Sequence, residues 1–190
     1  MKVKCTYAAT LLKLSLLFIL LNGSNVAFSQ FTPISLNQRI DNSSQIFEGE
    51  VLSKRSYWNE NRTNIYTANV VNVYKVFKGI TTKKQVEIIT MGGIVGDEME
   101  EVSHSLQLKV GDAGVFTAIP NTAKLTAKST LTRLKTYAGL QGFIQYDLRT
   151  KSAKDVFNTY SNISKDVHAR IAKRTKATIK VVQKDKFNLQ

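Results

Sequence analysis

The sequence predicts one mainly β domain with a short helix before it and an amphipathic helix after it. From Ile46 onward, runs rich in β-branched and aromatic residues alternate with polar or glycine-containing stretches. Apolar residues at helical spacing occur at Leu36 and Ile40, and again after Ser164. The length suits a single domain that buries roughly two thirds of its unfolded surface, and no repeat or proline-rich linker divides it.

The first 29 residues predict a cleavable secretory signal. Lys2 and Lys4 precede an apolar stretch, and small residues around Ala27 and Ser29 favour a cut before Gln30. The uninterrupted apolar part is shorter than the roughly 20 residues that a membrane-spanning helix needs. An uncleaved anchor is the alternative interpretation. We therefore expect a secreted or periplasmic product, or a cell-surface one if the chain belongs to a longer protein.

Cleavage would leave residues 30–175 as the β domain with its terminal helix, and residues 176–190 as a basic tail. The only cysteine, Cys5, lies in the predicted signal. The exported product would therefore have no disulfide, no thiol nucleophile and no thiolate metal ligand.

The positive charge is concentrated in the C-terminal part of the chain. Residues 30–119 hold nine basic and ten acidic side chains, whereas residues 120–190 hold fifteen basic and four acidic ones. Such a surface attracts anionic polymers through forces that salt screens. For an exported protein this indicates acidic polysaccharide or a membrane surface as partner, and not nucleic acid.

The elements can be placed along the chain from local patterns. Residues 35–42 predict a helix capped by Ser35, and the glycines between Gly92 and Gly96 predict a turn with unusual backbone angles. The run of β-branched and aromatic residues at 65–77 is apolar on both faces at its C-terminal end. This pattern suits a strand of a closed barrel or a sandwich. The predicted strands span residues 46–52, 65–77, 85–90, 99–108, 113–119, 134–140 and 142–148.

A terminal amphipathic helix is predicted to begin with Ser164 as its cap. Val167, Ile171 and Ile163 would share its apolar face. The opposite face carries the candidate contacts to an anionic surface, Lys165, Arg170, Lys173 and Arg174. These four residues are either such a contact or simply the solvated face of a docked helix. After them, residues 179–184 either add a last strand or fray.

Residues suited to catalysis or metal binding are sparse. After the signal the histidines are His104 and His168, and neither lies in a recognisable motif. Adjacent strand residues point to opposite faces, so His104 and its neighbours Ser103 and Ser105 do not make a triad, and we interpret His104 as an ordinary strand histidine. We expect no enzymatic activity, no cofactor and no zinc site; an enzyme with a dispersed polar site is the alternative.

Acidic residues surround the glycine-rich turn. Asp97, Glu98, Glu100 and Glu101 offer oxygen ligands, but their spacing does not match the twelve-residue calcium loop. A solvated acidic rim is the interpretation that we adopt.

Three aromatic residues form the candidate ligand-binding site. Tyr57, Trp58 and Tyr66 cluster around the first long loop, where they could stack against a sugar or a peptide. The alternative is that they are core residues or cross-strand pairs, as aromatics on strands usually are.

Short motifs follow one another in a characteristic order over about residues 35–160. They are IFEGEV at 46–51, IYT at 65–67, VYKVFKG at 73–79, VEI at 86–88, the glycine pair at 92–93 and VGD at 110–112. This order resembles that of an N-terminal domain of secreted and surface proteins of the Bacteroidetes. That domain has an OB-like barrel related to the barrel of the tissue inhibitors of metalloproteinases.

The resemblance implies a closed or partly open antiparallel OB-like barrel with a helix against it, an architecture that binds oligomers or peptides on one face. It implies a non-enzymatic binding or accessory module with a protein, peptide or glycan partner. It does not imply zinc chelation, because those inhibitors use an N-terminal cysteine and none lies near the predicted mature N-terminus. A barrel that masks or inhibits a protease by another route is the alternative.

Overall fold

Strands and short helices alternate along the part of the chain that the computed structural model describes, which is residues 32–79, 83–184 and 187. The predicted signal, Cys5 included, lies outside these residues. The strands are β1 (Gln45–Trp58), β2 (Ile65–Lys78), β3 (Gln85–Met91), β4 (Gly93–Val95), β5 (Glu98–Glu100), β6 (Ala113–Pro120), β7 (Thr132–Thr136), β8 (Phe143–Asp147), β9 (Ser152–Lys154), β10 (Thr159–Tyr160) and β11 (Lys180–Val181). The helices are α1 (Leu36–Asn42), a 3-10 turn (Gly139–Gly142), a π-helical turn (Ile163–His168) and α2 (Ala169–Thr175).

Five of these strands form a ring of backbone pairings. β1 pairs antiparallel with both β2 and β6, β2 pairs antiparallel with β3, and β6 pairs antiparallel with β7. A parallel pairing of β3 with β7 completes the ring. β8, β9 and β10 extend the sheet outward from β6. The chain is therefore mainly β, which confirms the coarse prediction.

The inside of the ring is an apolar core to which all five strands contribute. Alternate residues of each strand point inward, as the two-residue period of a strand requires. Two leucines from the segment between β5 and β6 also pack in this core. Its buried members include Phe47, Val73, Ile88, Phe116, Leu134, Leu106 and Leu108.

The helices cover the outside of the ring. Leu36 and Ile40 of α1 and Val167 and Ile171 of the terminal helix lie in a second buried cluster with Tyr74 of β2. α1 begins at the predicted cap, because Ser35 Oγ accepts from the Gln38 N–H and Gln38 Oε1 accepts from the Ser35 N–H. The predicted N-terminal helix and the apolar face of the C-terminal one are confirmed.

Three predicted strands are wrong in extent. The first, predicted over 46–52, continues to Trp58 as β1. Of the predicted strand 99–108, only Met99 and Glu100 lie in a strand, β5, which pairs with β4 in a hairpin. His104 has φ 61°, which interrupts any strand there, so His104 lies in a turn and is not a strand histidine. The predicted strand 134–140 ends at Thr136, because the chain turns at Ala138 with φ 63°.

The terminal helix begins earlier than its predicted cap. Asn162 is the capping residue, since its side chain accepts from the Lys165 N–H at 2.9 Å. The first six residues of the terminal helix, Ile163–His168, are π-helical, and α2 continues from them. Ser164 therefore lies inside the first turn, which corrects the predicted cap by two residues.

The basic tail adds a last strand to β2, beyond the part of β2 that pairs with β3. Lys180 and Val181 pair with Val76 and Lys75 of β2. Phe187 is buried, with its ring 5.0 Å from that of Tyr74. The sequence left two alternatives for residues 179–184, a last strand or a frayed end. The structure has a strand there.

Candidate functional site

A cleft of about 520 Å³ opens where β1 leaves the ring, and we call it the mouth cleft. Beyond Val51, β1 keeps β2 as a neighbour but no longer pairs with β6. The β4–β5 hairpin packs across this part of the two strands. The residues that line the mouth cleft include Lys54, Ser56, Thr67, Ile94, Met99 and Gln107.

Two hydroxyl groups fasten the hairpin to the β1–β2 face. Ser56 Oγ lies 2.9 Å from Thr67 Oγ1, which donates to the Gly92 carbonyl at 2.7 Å. The Ile94 N–H donates to Ser56 Oγ at 3.3 Å. A Cβ on Gly93 would lie 2.2 Å from Ser56 Oγ, so only glycine allows this close approach.

Glu100 fixes the other end of the hairpin. Its carboxylate accepts from the Asn64 side-chain amide at 3.1 Å and from the Ile65 N–H. Glu100, one member of the predicted acidic rim, is therefore a hydrogen-bond acceptor that holds the hairpin against β2. Asp97, Glu98 and Glu101 are exposed.

The mouth cleft combines apolar and polar groups. Ile94 and Met99 face each other across the hairpin and are 62% and 68% exposed. Lys54 of β1 also lines the mouth cleft, and its Nζ donates to the Leu108 carbonyl at 3.0 Å. Exposed apolar side chains beside a few placed polar groups are typical of a binding surface.

The structure separates the three predicted aromatic ligand residues. Tyr57 and Tyr66 are partners across β1 and β2, and both pack against the small buried cluster that contains Leu125. Trp58 is the next residue of β1, so its side chain lies on the opposite face. Tyr57, Trp58 and Tyr66 thus do not form one surface, and the two tyrosines match the alternative interpretation as a cross-strand pair.

The four predicted anionic-surface residues do not all have the same environment. All four side chains are exposed. Arg174 Nε donates to Asp41 Oδ1 at 2.8 Å, which joins α2 to α1. This hydrogen bond and charge hold the pKa of Asp41 below its ordinary value. Arg174 is therefore committed to a contact between helices.

His168 belongs to a buried polar group that sequence reasoning missed. Its Nε2 lies 2.9 Å from Glu48 Oε2 and 2.7 Å from the Tyr146 hydroxyl, which also donates to Glu48. Lys75 Nζ donates to the other oxygen of Glu48 at 3.0 Å. Burial alone would raise the pKa of Glu48, but His168 and Lys75 outweigh it and hold that pKa below its ordinary value.

This group joins the terminal helix to β1. Glu48 is fully buried and His168 nearly so, which leaves little access for a substrate. The sequence signal was a glutamate inside the apolar run 46–51 and a histidine next to the apolar helix position Val167. Charged residues are rarely fully buried unless they are paired.

His104 lies apart from the mouth cleft, beside a separate hollow of about 430 Å³. Its neighbour Ser105 donates its hydroxyl proton to the Met91 carbonyl. Ser103, His104 and Ser105 all line this hollow, in the turn that follows the hairpin.

Within the described residues, no three histidine, cysteine, aspartate or glutamate side chains converge as a metal site would require. No helix in that part of the chain has the length and hydropathy to cross a bilayer. Comparison of the chain with protein-family models, with curated proteins and with solved structures gave no match.

Proposed function

We propose that the chain is an exported, non-enzymatic binding or accessory module on an OB-like barrel, and that the mouth cleft holds its ligand. The observation that carries this proposal is the pair of exposed apolar residues, Ile94 and Met99, beside the polar groups of β1 at the open end of the ring. Binding surfaces commonly combine these features.

The pattern of strand pairing supports the OB-like part of the proposal. OB folds are five-stranded, partly open Greek-key barrels that bind oligomers on one face. Here β1 is shared by two neighbours and then leaves the ring, so the mouth cleft lies at the opening. The order of motifs within residues 35–160 supports an origin among exported Bacteroidetes proteins.

The proposal is tested by screening the exported protein on arrays of peptides and glycans. Gln107→Trp would fill the cleft, because Gln107 is exposed and lines it. Arg149→Trp, in the exposed β8–β9 turn, is the matched control. We expect one class of ligand to bind the parent and the control but not the cleft variant. Binding that survives in the cleft variant would place the ligand elsewhere.

A further inference from the structure

The backbone edge of β1 is free over residues 52–57, among the residues that the structure describes. At one end, the Val51 N–H donates to the Asp112 carbonyl and the Val51 carbonyl accepts from Gly111. At the other end, the Trp58 carbonyl accepts from the Thr126 N–H. Between these two contacts, β2 is the strand that pairs with β1.

Alternate residues of this edge present their backbone groups outward. In an antiparallel pair, successive residues direct their N–H and C=O groups to opposite sides. Since the Trp58 carbonyl points away from β2, those of Ser56 and Lys54 do so too. Six residues at about 3.3 Å each span about 20 Å, enough to pair with a strand of four to six residues.

The charge on this edge selects the partner. Lys54 and Arg55 are exposed and lie on opposite faces of β1. A second copy added antiparallel at this edge would set these cations against their own counterparts, which is unfavourable. An added strand with acidic side chains would instead be attracted.

The two faces of β1 carry different side chains along this edge. This difference determines which side chains the partner strand should have on each of its own faces. The face that carries Lys54 and Ser56 borders the mouth cleft, with the exposed apolar pair Ile94 and Met99 and the exposed Glu101. The other face carries Arg55, whose guanidinium carbon lies 5.6 Å from the centre of the Tyr57 ring. Apolar side chains suit the first face, and acidic ones suit the second.

We propose that an extended peptide segment with alternating acidic and apolar residues adds as a strand to the β1 edge. Its backbone pairs with Lys54 and Ser56, its apolar side chains face Ile94 and Met99, and its carboxylates face Arg55. This is recognition by strand addition, in which the main chain supplies affinity and alternate side chains supply specificity. It rests on the proposed function and names the ligand class for the same cleft.

The test uses three synthetic hexapeptides with the exported protein. One alternates glutamate and valine, the second alternates lysine and valine, and the third is the glutamate peptide with alternate backbone nitrogens methylated. Affinity is measured by titration calorimetry, and amide hydrogen exchange is followed at Lys54 and Ser56. We expect the glutamate peptide to bind and to protect both amides, and the other two to bind at least about tenfold more weakly.

Variants of the protein separate the edge from the cleft. Arg55→Glu should weaken the glutamate peptide about tenfold and strengthen the lysine peptide, whereas Arg149→Glu should change neither. Binding that is indifferent to backbone methylation, or that leaves both amides unprotected, would overturn strand addition. Dimerisation of the protein through residues 52–57 would overturn it as well.

Failure of this inference is distinguishable from failure of the proposed function. If another array ligand is lost in Gln107→Trp while the β1 amides stay unprotected, the cleft remains the binding site and strand addition is wrong. If neither the peptides nor any array ligand responds to Gln107→Trp, the proposed function is wrong too.

Discussion

At the scale of single residues, the buried polar group around Glu48 is expected to contribute strongly to stability. Its carboxylate is fully buried and contacts Lys75, Tyr146 and His168. Removing one member of such a group leaves charged partners without compensation. The group joins β1 to the terminal helix, so its loss is expected to destabilise the fold.

The first prediction concerns Glu48→Gln. We expect it to lower the free energy of unfolding by about 3 kcal/mol near neutral pH, because it removes the buried negative charge that Lys75 Nζ contacts at 3.0 Å. Denaturant titration measures the change. Glu98→Gln, at an exposed position of β5, is the control and should change stability by less than about 0.5 kcal/mol.

The pH dependence of this variant follows from the lowered pKa of Glu48. A carboxyl with a lowered pKa in the folded protein contributes stability above its unfolded value, and this contribution is lost as the pH falls toward the folded one. The difference between parent and Glu48→Gln should therefore shrink below about pH 4.3. A difference that stays constant from pH 7 to pH 3 would contradict the ionised state.

The second prediction concerns the two glycines of the hairpin. Gly93→Ala should destabilise the protein by about 2 kcal/mol, because its φ is 146° and a Cβ there would meet Ser56 Oγ. Gly96→Ala has only backbone strain, since no atom lies within 4 Å of its Cβ, and should cost about 1 kcal/mol. Denaturant titration compares the two. Equal losses would mean that the close approach to Ser56 contributes nothing.

At the scale of elements, the terminal helix has a docked apolar face, an exposed basic face and one cation bound to Asp41. An anionic-surface contact must therefore be tested without Arg174, whose loss would also disturb the contact between α1 and α2.

The third prediction addresses Lys165, Arg170 and Lys173, the three cations of this face that do not bind Asp41. Reversing Lys165, Arg170 and Lys173 to glutamate should leave retention on acidic vesicles unchanged across a salt series, because we interpret this face as solvated. Circular dichroism confirms that the fold is intact. Retention that falls with salt and disappears in the triple variant would instead establish recruitment to anionic surfaces.

The fourth prediction concerns the tail. Phe187→Ala should destabilise the protein by about 3 kcal/mol, since this ring is buried against Tyr74 and Tyr146. Val181→Ala is the control within the same segment, because Val181 is 68% exposed, and should cost less than about 0.5 kcal/mol. Thermal unfolding measures both. A neutral Phe187→Ala would show that the end of the tail does not stabilise the domain.

At the scale of the whole molecule, export is the property that the sequence predicts most directly. The fifth prediction is that the exported protein begins at Gln30, because the charged start, apolar middle and small-residue cut site occur in the required order. Mass spectrometry of the exported protein measures this. A product that begins at Met1 would show that the segment is an anchor.

Much of the mainly β fold was predictable from short patterns. The cap at Ser35, the apolar run from Ile65 to Phe77 and the helical face of Val167 and Ile171 all depend on neighbours within a few residues. Capping and amphipathic periodicity are local effects, so they can be read from the sequence alone.

The candidate site depended on the tertiary structure. Ser56, Thr67, Met99 and Gln107 come from four separate segments, and the pairing of β1 with β2 and the path of the hairpin bring them together. The same holds for Glu48 with His168, which are 120 positions apart. Tyr57 and Trp58 lie on opposite faces for a local reason, because β1 extends through both and adjacent strand residues alternate. The mouth cleft has no such local signal, because its residues meet only through contacts that are long-range in sequence.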